Sequence, residues 1–269
     1  GLKLKTDDVI GALKAKWAAL FGLGTILVLT PAIAFGVVHL DDVLEFEEFG
    51  TGLAFFAAMP TTISSGVVFT ELVNGNVALS LMLSVVSNLL AVLTLPFILA
   101  LLIDTGDEAS IDAVDLLTKL LLTILLPLVV GKLLQIVPGV KPAVKRFSIP
   151  LKILSSILLV MVPWIKVSEA EDDLAEVSGL SLFALFGLGL ALHIVLLIFN
   201  ATCCALLRFA PFETKSVVIM GSQKTLGTAV AIISFLPDSA GEQGLLVIPV
   251  IVAHFAQILL DGIILPHWN

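Results

Sequence analysis

Lys224 is the one basic residue that falls deep inside an apolar, membrane-length stretch of this chain, in the polar run Gly221-Ser222-Gln223-Lys224-Thr225-Leu226-Gly227. A second such stretch is interrupted by Met59-Pro60-Thr61-Thr62-Ile63-Ser64-Ser65-Gly66. The chemistry open to these side chains is non-covalent. Hydroxyl and amide oxygens can replace the water around a solute or an ion, and a buried ammonium can balance an anion or give up a proton. Pro60 has no N–H to donate and blocks a helical hydrogen bond. Thr61, Thr62, Ser64 and Ser65 can satisfy the freed backbone groups or ligate a solute; a proline kink with serine back-bonding would use the same residues. A helix beginning near Ser65 and Gly66 would turn its N-terminal amides and partial positive charge towards the break. In the other run, Ser222, Gln223, Lys224 and Thr225 would point in every direction around a regular helix, so one would meet lipid. Lys224 lies nine positions after Lys215 and fourteen before Asp238, which is too deep for its ammonium to snorkel to water.

Interrupted helices at membrane depth survive only inside protein or beside a water-filled cavity, and a pair of them in two halves of a chain points to a transporter site. The chain can supply such halves. Spans of about 20 apolar residues are predicted over 17–39, 49–73, 76–103, 113–137, 147–166, 180–207, 214–236 and 244–265. Numbering the sides of the membrane alternately places eleven of the fourteen Lys and Arg residues on one side, with the loop acids concentrated opposite. A wrong span count would scramble that segregation, and by the positive-inside rule the basic side faces the cytoplasm or its equivalent. The spans are too long and too continuously apolar for barrel strands. Pro31, Pro96, Pro127 and Pro163 read as kinks within or near span ends, and Trp17, Trp164 and Trp268 as interfacial anchors.

Composition agrees. Of the 269 residues 58% are hydrophobic and 13% charged, the net charge is −8 and the mean hydropathy is +1.12, so there is too little polar sequence to cover a soluble domain. Cys203 and Cys204 are adjacent in an apolar run and read as packing residues rather than a disulfide or metal site. There is no phosphate-binding loop ending in Lys-Ser/Thr, no nucleophile–base pair and no zinc pattern. The chain therefore reads as neither an enzyme nor a nucleic-acid binder, and its first partner is the lipid bilayer. It opens on Gly1-Leu2-Lys3-Leu4-Lys5, which looks like the tail of a helix, and upstream sequence is expected.

Weaker polar signals lie elsewhere. Ser80, Ser84, Ser87 and Asn88 share a broad face of the third span, and the first two read as lining a cavity. His193, Asn200, His254 and Gln257 read as interhelical hydrogen bonds, and Asp261 as an interfacial residue near the end of the last span. No carboxylate is then expected near either break.

The motif Pro60-Thr61-Thr62-Ile63-Ser64-Ser65-Gly66, followed by Asn74-Gly75-Asn76-Val77-Ala78-Leu79-Ser80, resembles the fourth and fifth helices of the bile acid:sodium symporter superfamily. In that family a Pro-Gly-Gly-x-x-Ser-Asn break precedes a Gly-Asn/Asp-x-x-Leu-Ser turn. The opening Gly1-Leu2-Lys3-Leu4 resembles the end of its second helix. The Met-Pro-Thr-Thr wording and the Lys in the second break resemble the SBF-like branch, which holds chloroplast BASS-type sodium/metabolite cotransporters and calcium-entry-regulator relatives. The resemblance covers essentially the whole chain. It implies an all-α polytopic membrane protein with a ten-helix inverted-repeat fold and two crossing broken helices, here present as eight helices with the first two missing. Residues 1–269 would be one transporter domain, with core helices over about 17–103 and 180–265 and panel helices over about 113–166.

The function implied is secondary active transport of a small organic anion or metabolite by alternating access, with sodium or a proton as coupling ion and no other cofactor. A non-transporting membrane regulator of calcium entry and a cation/proton antiporter are the alternatives. The compartment stays open between the plastid envelope and a plasma or other organellar membrane, and protein partners are unassigned. The substrate or ion pathway would comprise Pro60, Thr61, Thr62, Ser64, Ser65, Ser80, Ser84, Ser222, Gln223, Lys224 and Thr225. Ser65, Ser80, Ser84 and Gln223 match a degenerate sodium site, but Gly66 stands for the family's Asn, Ile219 for its Glu and Ile26 for the Gln of its second site. Sodium wants carboxylate and carbonyl oxygens. Losing the acid and gaining the Lys224 ammonium, which would lie between the facing half-helix ends and compensate an anionic solute, argues against two-sodium coupling.

Overall fold

The structure is a computed structural model that describes residues 15–44, 46–62, 64–103, 112–237 and 240–268. The opening Gly1–Lys5 and the loop residues Lys14, Glu45, Asp104, Asp107, Glu108 and Asp238, together with Ile63 of the first motif, lie outside the described residues. Every regular element among those described is helical. The long or site-forming helices are α1 (Lys16–Leu40), α2 (Glu47–Ala58), α3 (Ser65–Leu72), α4 (Val77–Leu102), α5 (Ala113–Leu134), α6 (Ser148–Glu169), α7 (Gly179–Leu206), α8 (Pro211–Ser222), α9 (Leu226–Ile233) and α10 (Gln243–Ile264). Short helices Val140–Arg146 and Glu171–Glu176 fill two connections.

Among the described residues, seven stretches are long and apolar enough to cross a membrane. The span expected over 49–73 is not one of them, because Pro60 and its neighbours divide it into α2, of 12 residues, and α3, of 8 residues. The other broken span, Pro211–Ile233, consists of α8 and α9 joined by the extended residues Gln223, Lys224 and Thr225. It is the central element: 78% of its most apolar window is buried, against at most 44% for any other long span and none for α6. A uniformly apolar helix with an exposed surface suits lipid, whereas a helix carrying four polar residues has to be packed inside protein.

Local sequence sets the helix ends. Asn76 caps α4 by accepting from the N–H of Leu79 at 3.0 Å, and Asp112 caps α5 by accepting from Val114 and Asp115. Asn74, with φ of 56°, closes the tight turn between α3 and α4, and the Asn76 N–H donates to the Phe212 carbonyl at the start of α8. Lys215 Nζ donates to the Val73 carbonyl just past α3, a cation at a helix C-terminus. The turn after the first break is thereby docked on the helix that carries the second. In α1 a π-helical turn, Thr25–Leu29, precedes Pro31, whose missing N–H disturbs the regular ladder. Trp17 and Trp164 are exposed, and Trp268 packs on Leu265 and Ile219.

Candidate functional site

The two breaks meet. Four successive carbonyls of the first, Met59 to Thr62, each find a donor on a different element or side chain. Lys224 Nζ donates to Met59 O at 3.1 Å, the Thr225 N–H to Pro60 O at 3.1 Å, Asn88 Nδ2 to Thr61 O at 2.9 Å and Ser84 Oγ to Thr62 O at 3.0 Å. An unpaired buried carbonyl costs about 1–3 kcal/mol, so this partnering is what allows a helix to open at membrane depth. The second break is satisfied in the same way. The Gln257 side-chain amide accepts from the Lys224 N–H at 3.0 Å and donates to the Lys224 carbonyl at 2.8 Å, and His193 Nδ1 meets the Ser222 carbonyl at 3.2 Å.

Gln223 joins the breaks through its side chain. Its Oε1 accepts from Thr62 Oγ1 at 2.9 Å and Ser65 Oγ at 3.0 Å, while its Nε2 donates to Asp261 Oδ2 at 2.6 Å. Gly66 makes room for this packing. A Cβ at that position would lie 2.7 Å from Met220 Sδ and 2.8 Å from Thr62 Oγ1. The Gly66 N–H donates to Thr62 Oγ1 at 2.8 Å, which satisfies an amide in the first turn of α3.

A cavity of about 420 Å3 opens at the crossover. Thr62, Ser64 and Ser65 line it from the first break, Thr225, Gly227 and Thr228 from the second, with His254 of α10 and Ile124 of α5 completing its wall. Ser64 precedes α3 and Thr225 precedes α9. The cavity therefore receives the N-terminal ends of both half-helices. Apart from the Gly66 N–H, which Thr62 takes, their first-turn amides and aligned dipoles favour an anion, and the Ser64 and Thr225 hydroxyls can add donors.

Lys224 occupies a different place from the one expected. Its Nζ donates to Thr30 Oγ1 at 2.6 Å as well as to Met59 O, the residue is 1% exposed, and it does not line the cavity. The ammonium thus lies against the C-terminal end of α2, where the helix dipole is negative, and no carboxylate ion-pairs with it among the described residues. Thr30 in turn back-bonds to Ile26 O at the π-helical turn of α1. Ser80 and Ser84, expected to line a cavity, instead stitch helices together. Ser80 shares a 2.9 Å hydrogen bond with Thr70, Ser84 holds Thr62 O, and neither lines the crossover cavity. Thr61 contributes its carbonyl, Ser222 bonds back into its own helix, and Pro60 offers its carbonyl to Thr225.

Asp261 requires a correction. It is fully buried rather than interfacial, so a carboxylate does lie at the second break, held by Gln223 and by His193 Nε2 at 2.9 Å. The helical offset explains the miss: counting residues to the end of a span says nothing of which way a side chain faces. The signal was present, since His254, Gln257 and Asp261 recur at spacings of three and four on one stripe of α10. Thr30 and Asn88 carried no comparable mark, because a lone hydroxyl or amide in an apolar span is common.

The profile of the SBF-like CPA transporter family matches residues 1–269, the full length of the chain. The chain belongs to the SBF-like CPA transporter family. A probable sodium/metabolite cotransporter BASS4, chloroplastic, of Oryza sativa subsp. indica is 39% identical over the whole of this chain, which spans 66% of that protein. The corresponding Arabidopsis thaliana protein is 37% identical, with 63% of its length spanned, and the sodium/bile acid cotransporter 7 of Mus musculus is 26% identical over 99% of this chain and 78% of its own. This SBF-like chain thus covers just under two thirds of the plant relatives it matches. The seven long apolar spans among the described residues and the family together make it a multi-pass integral membrane protein.

Proposed function

We propose that the chain is the transport unit of a secondary carrier for a small organic anion, working by alternating access around the crossover of the two broken helices. The observation that carries this reading is the cavity at which the N-termini of α3 and α9 converge with five hydroxyl side chains, Thr62, Ser64, Ser65, Thr225 and Thr228. A carboxylate placed there would meet first-turn amides of both half-helices and the hydroxyls of Ser64 and Thr225 without a charged side chain, while Thr62 and Ser65 give their protons to Gln223 and shape the wall. Helices over 113–166 would form the panel against which the remaining helices move, in keeping with the slight burial of α5 and α6.

Coupling to sodium through Ser65, Ser80, Ser84 and Gln223 is not part of this reading. Gln223 Oε1 already accepts two hydroxyl protons, Ser80 lies on Thr70, and the amide turns its NH2 towards the Asp261 carboxylate. A second reading, exchange of a cation against a proton, gains from the buried carboxylate of Asp261, which that chemistry uses.

The test is uptake of radiolabelled pyruvate and succinate into proteoliposomes, with sodium and pH gradients imposed independently. Saturable uptake that falls at least about tenfold in Ser65→Ala and Thr225→Val, equivalent to about 1.4 kcal/mol, supports the carrier. Cation-dependent proton flux with no uptake of either anion would favour the antiporter instead.

A further inference from the structure

A second cavity, of about 500 Å3, opens at the basic end of the bundle, between the start of α1 and the turn that joins α7 to α8. It shares no residue with the crossover cavity and lies at the opposite end of α8 from the second break. Its wall is amphipathic. Trp17 and Phe21 line it from α1, and Leu207 and Phe209 from the turn, with Arg208 and Glu213 beside them. The rings of Phe21 and Phe209 meet at 6.0 Å between centroids and join the two sides. Trp17 is 67% exposed, so the apolar wall is open to the membrane and not sealed by the bundle.

Arg208 sets the chemistry. Where α7 ends, the Arg208 N–H bonds to Ala205 O, the Phe209 N–H bonds to Cys204 O, and Arg208 itself takes a φ of 56°. That left-handed position after a helix usually falls to glycine or asparagine, and a longer side chain there carries a conformational cost. Arg208 forms no ion pair among the described residues, although Glu213 lines the same cavity. A cation and an anion thus border one space without neutralising each other. Lys16 adds a second cation, its ammonium 5.6 Å from the centroid of the Trp17 ring.

These features narrow the occupant. The cavity is on the side to which the charge pattern assigns eleven of the fourteen Lys and Arg residues, where anionic headgroups are attracted. A tryptophan at a span end sits at headgroup depth. The guanidinium fork matches two oxygens of a phosphate. An ionised Glu213 can only accept, so the same headgroup has to bring hydrogen donors. Choline has none, and ethanolamine brings donors but no net charge to balance the second cation.

We propose that this cavity binds one phosphatidylglycerol of the surrounding membrane. Its phosphate lies on Arg208 and Lys16, its glycerol hydroxyls donate to Glu213, and an acyl chain runs along Trp17 and Phe21. The lipid ties the start of α1 to the start of α8, the helix that carries the second break. This site is separate from the crossover cavity and does not depend on the carrier reading.

The experiment is native mass spectrometry of the full chain in detergent, with phosphatidylglycerol, phosphatidylethanolamine or phosphatidylcholine added at equal mole ratio. One phosphatidylglycerol should be retained at least about tenfold more strongly than phosphatidylcholine, equivalent to about 1.4 kcal/mol. Arg208→Gly separates binding from folding, because glycine suits the left-handed position. Without lipid it should melt no lower than the wild type, yet it should lose both the preference and the rise in melting temperature that phosphatidylglycerol gives the wild type. Arg208→Lys keeps the charge without the fork and should fall between them. Equal retention of all three lipids by the wild type overturns the site, and so does a preference that survives in Arg208→Gly. Phosphatidylethanolamine held as strongly as phosphatidylglycerol overturns the anionic headgroup. Retention of no lipid, as when residues 1–14 of the chain fill the cavity themselves, overturns the proposal outright. The headgroup comparison on the wild type decides the matter even if a variant fails to fold.

Discussion

The side-chain amide of Gln257 pairs with both the N–H and the C=O of Lys224, so a glutamine on α10 stands in for the helical neighbours that the second break removes. The two contacts, at 3.0 and 2.8 Å, are those a helix would have supplied from its own backbone. The substitution of a side chain for a turn of helix explains how Lys224 can be extended at the centre of the bundle, and it makes Gln257 a structural requirement of the site.

Gln257→Leu keeps the volume but removes the partner of the Lys224 N–H and leaves the Lys224 carbonyl with His254 Nδ1 alone, at 3.1 Å. At about 1–3 kcal/mol for each buried unsatisfied group, the variant should melt well below the wild type in detergent. Gln257→Glu, which can accept but not donate when ionised, should fall between them. Equal melting of Gln257→Leu and wild type would show that water takes over both bonds.

Ser84→Ala separates stitching from solute contact. The Thr62 carbonyl loses its donor, and a loss of about 1–2 kcal/mol in stability is expected. Anion affinity, measured by isothermal titration of the stable fraction, should change little because Ser84 does not line the cavity. A large loss of affinity with unchanged stability would return Ser84 to the pathway.

Gly66→Ala places a methyl group 2.7 Å from Met220 Sδ and 2.8 Å from Thr62 Oγ1. The Met220 side chain can move, but Thr62 is tied to Gln223. Overpacking of this kind costs about 1–3 kcal/mol, and thermal unfolding measures it. Gly66→Ala combined with Met220→Ala should recover part of the loss, since the thioether is the nearer obstacle.

Lys224→Met retains the stem and removes the ammonium from Met59 O and Thr30. The lost contacts predict a weaker hold of α1 and α2 on the second break, read as faster amide exchange at Thr61 and Thr62. Anion binding should survive, because the ammonium does not line the cavity. Complete loss of binding with normal exchange would restore the direct role expected from the sequence.

The sequence by itself determined the spans, both breaks and the polar character of each. Those properties rest on length, on Pro60 and on the cost of unpaired polar groups in hydrocarbon, all of which are local. It also carried the resemblance to the family in the Met59–Gly66 motif and the turn that follows, and the family's profile matches residues 1–269. What only the tertiary structure decided is the facing of side chains. Asp261 turns inward to Gln223, Lys224 turns towards Thr30 and away from the cavity, and Ser84 reaches a carbonyl on another helix. A polar residue in an apolar span has to find a partner, but which partner depends on how the helices are rotated and offset against one another. That is set by packing at positions such as Gly66, where a single methyl group would push the two breaks apart.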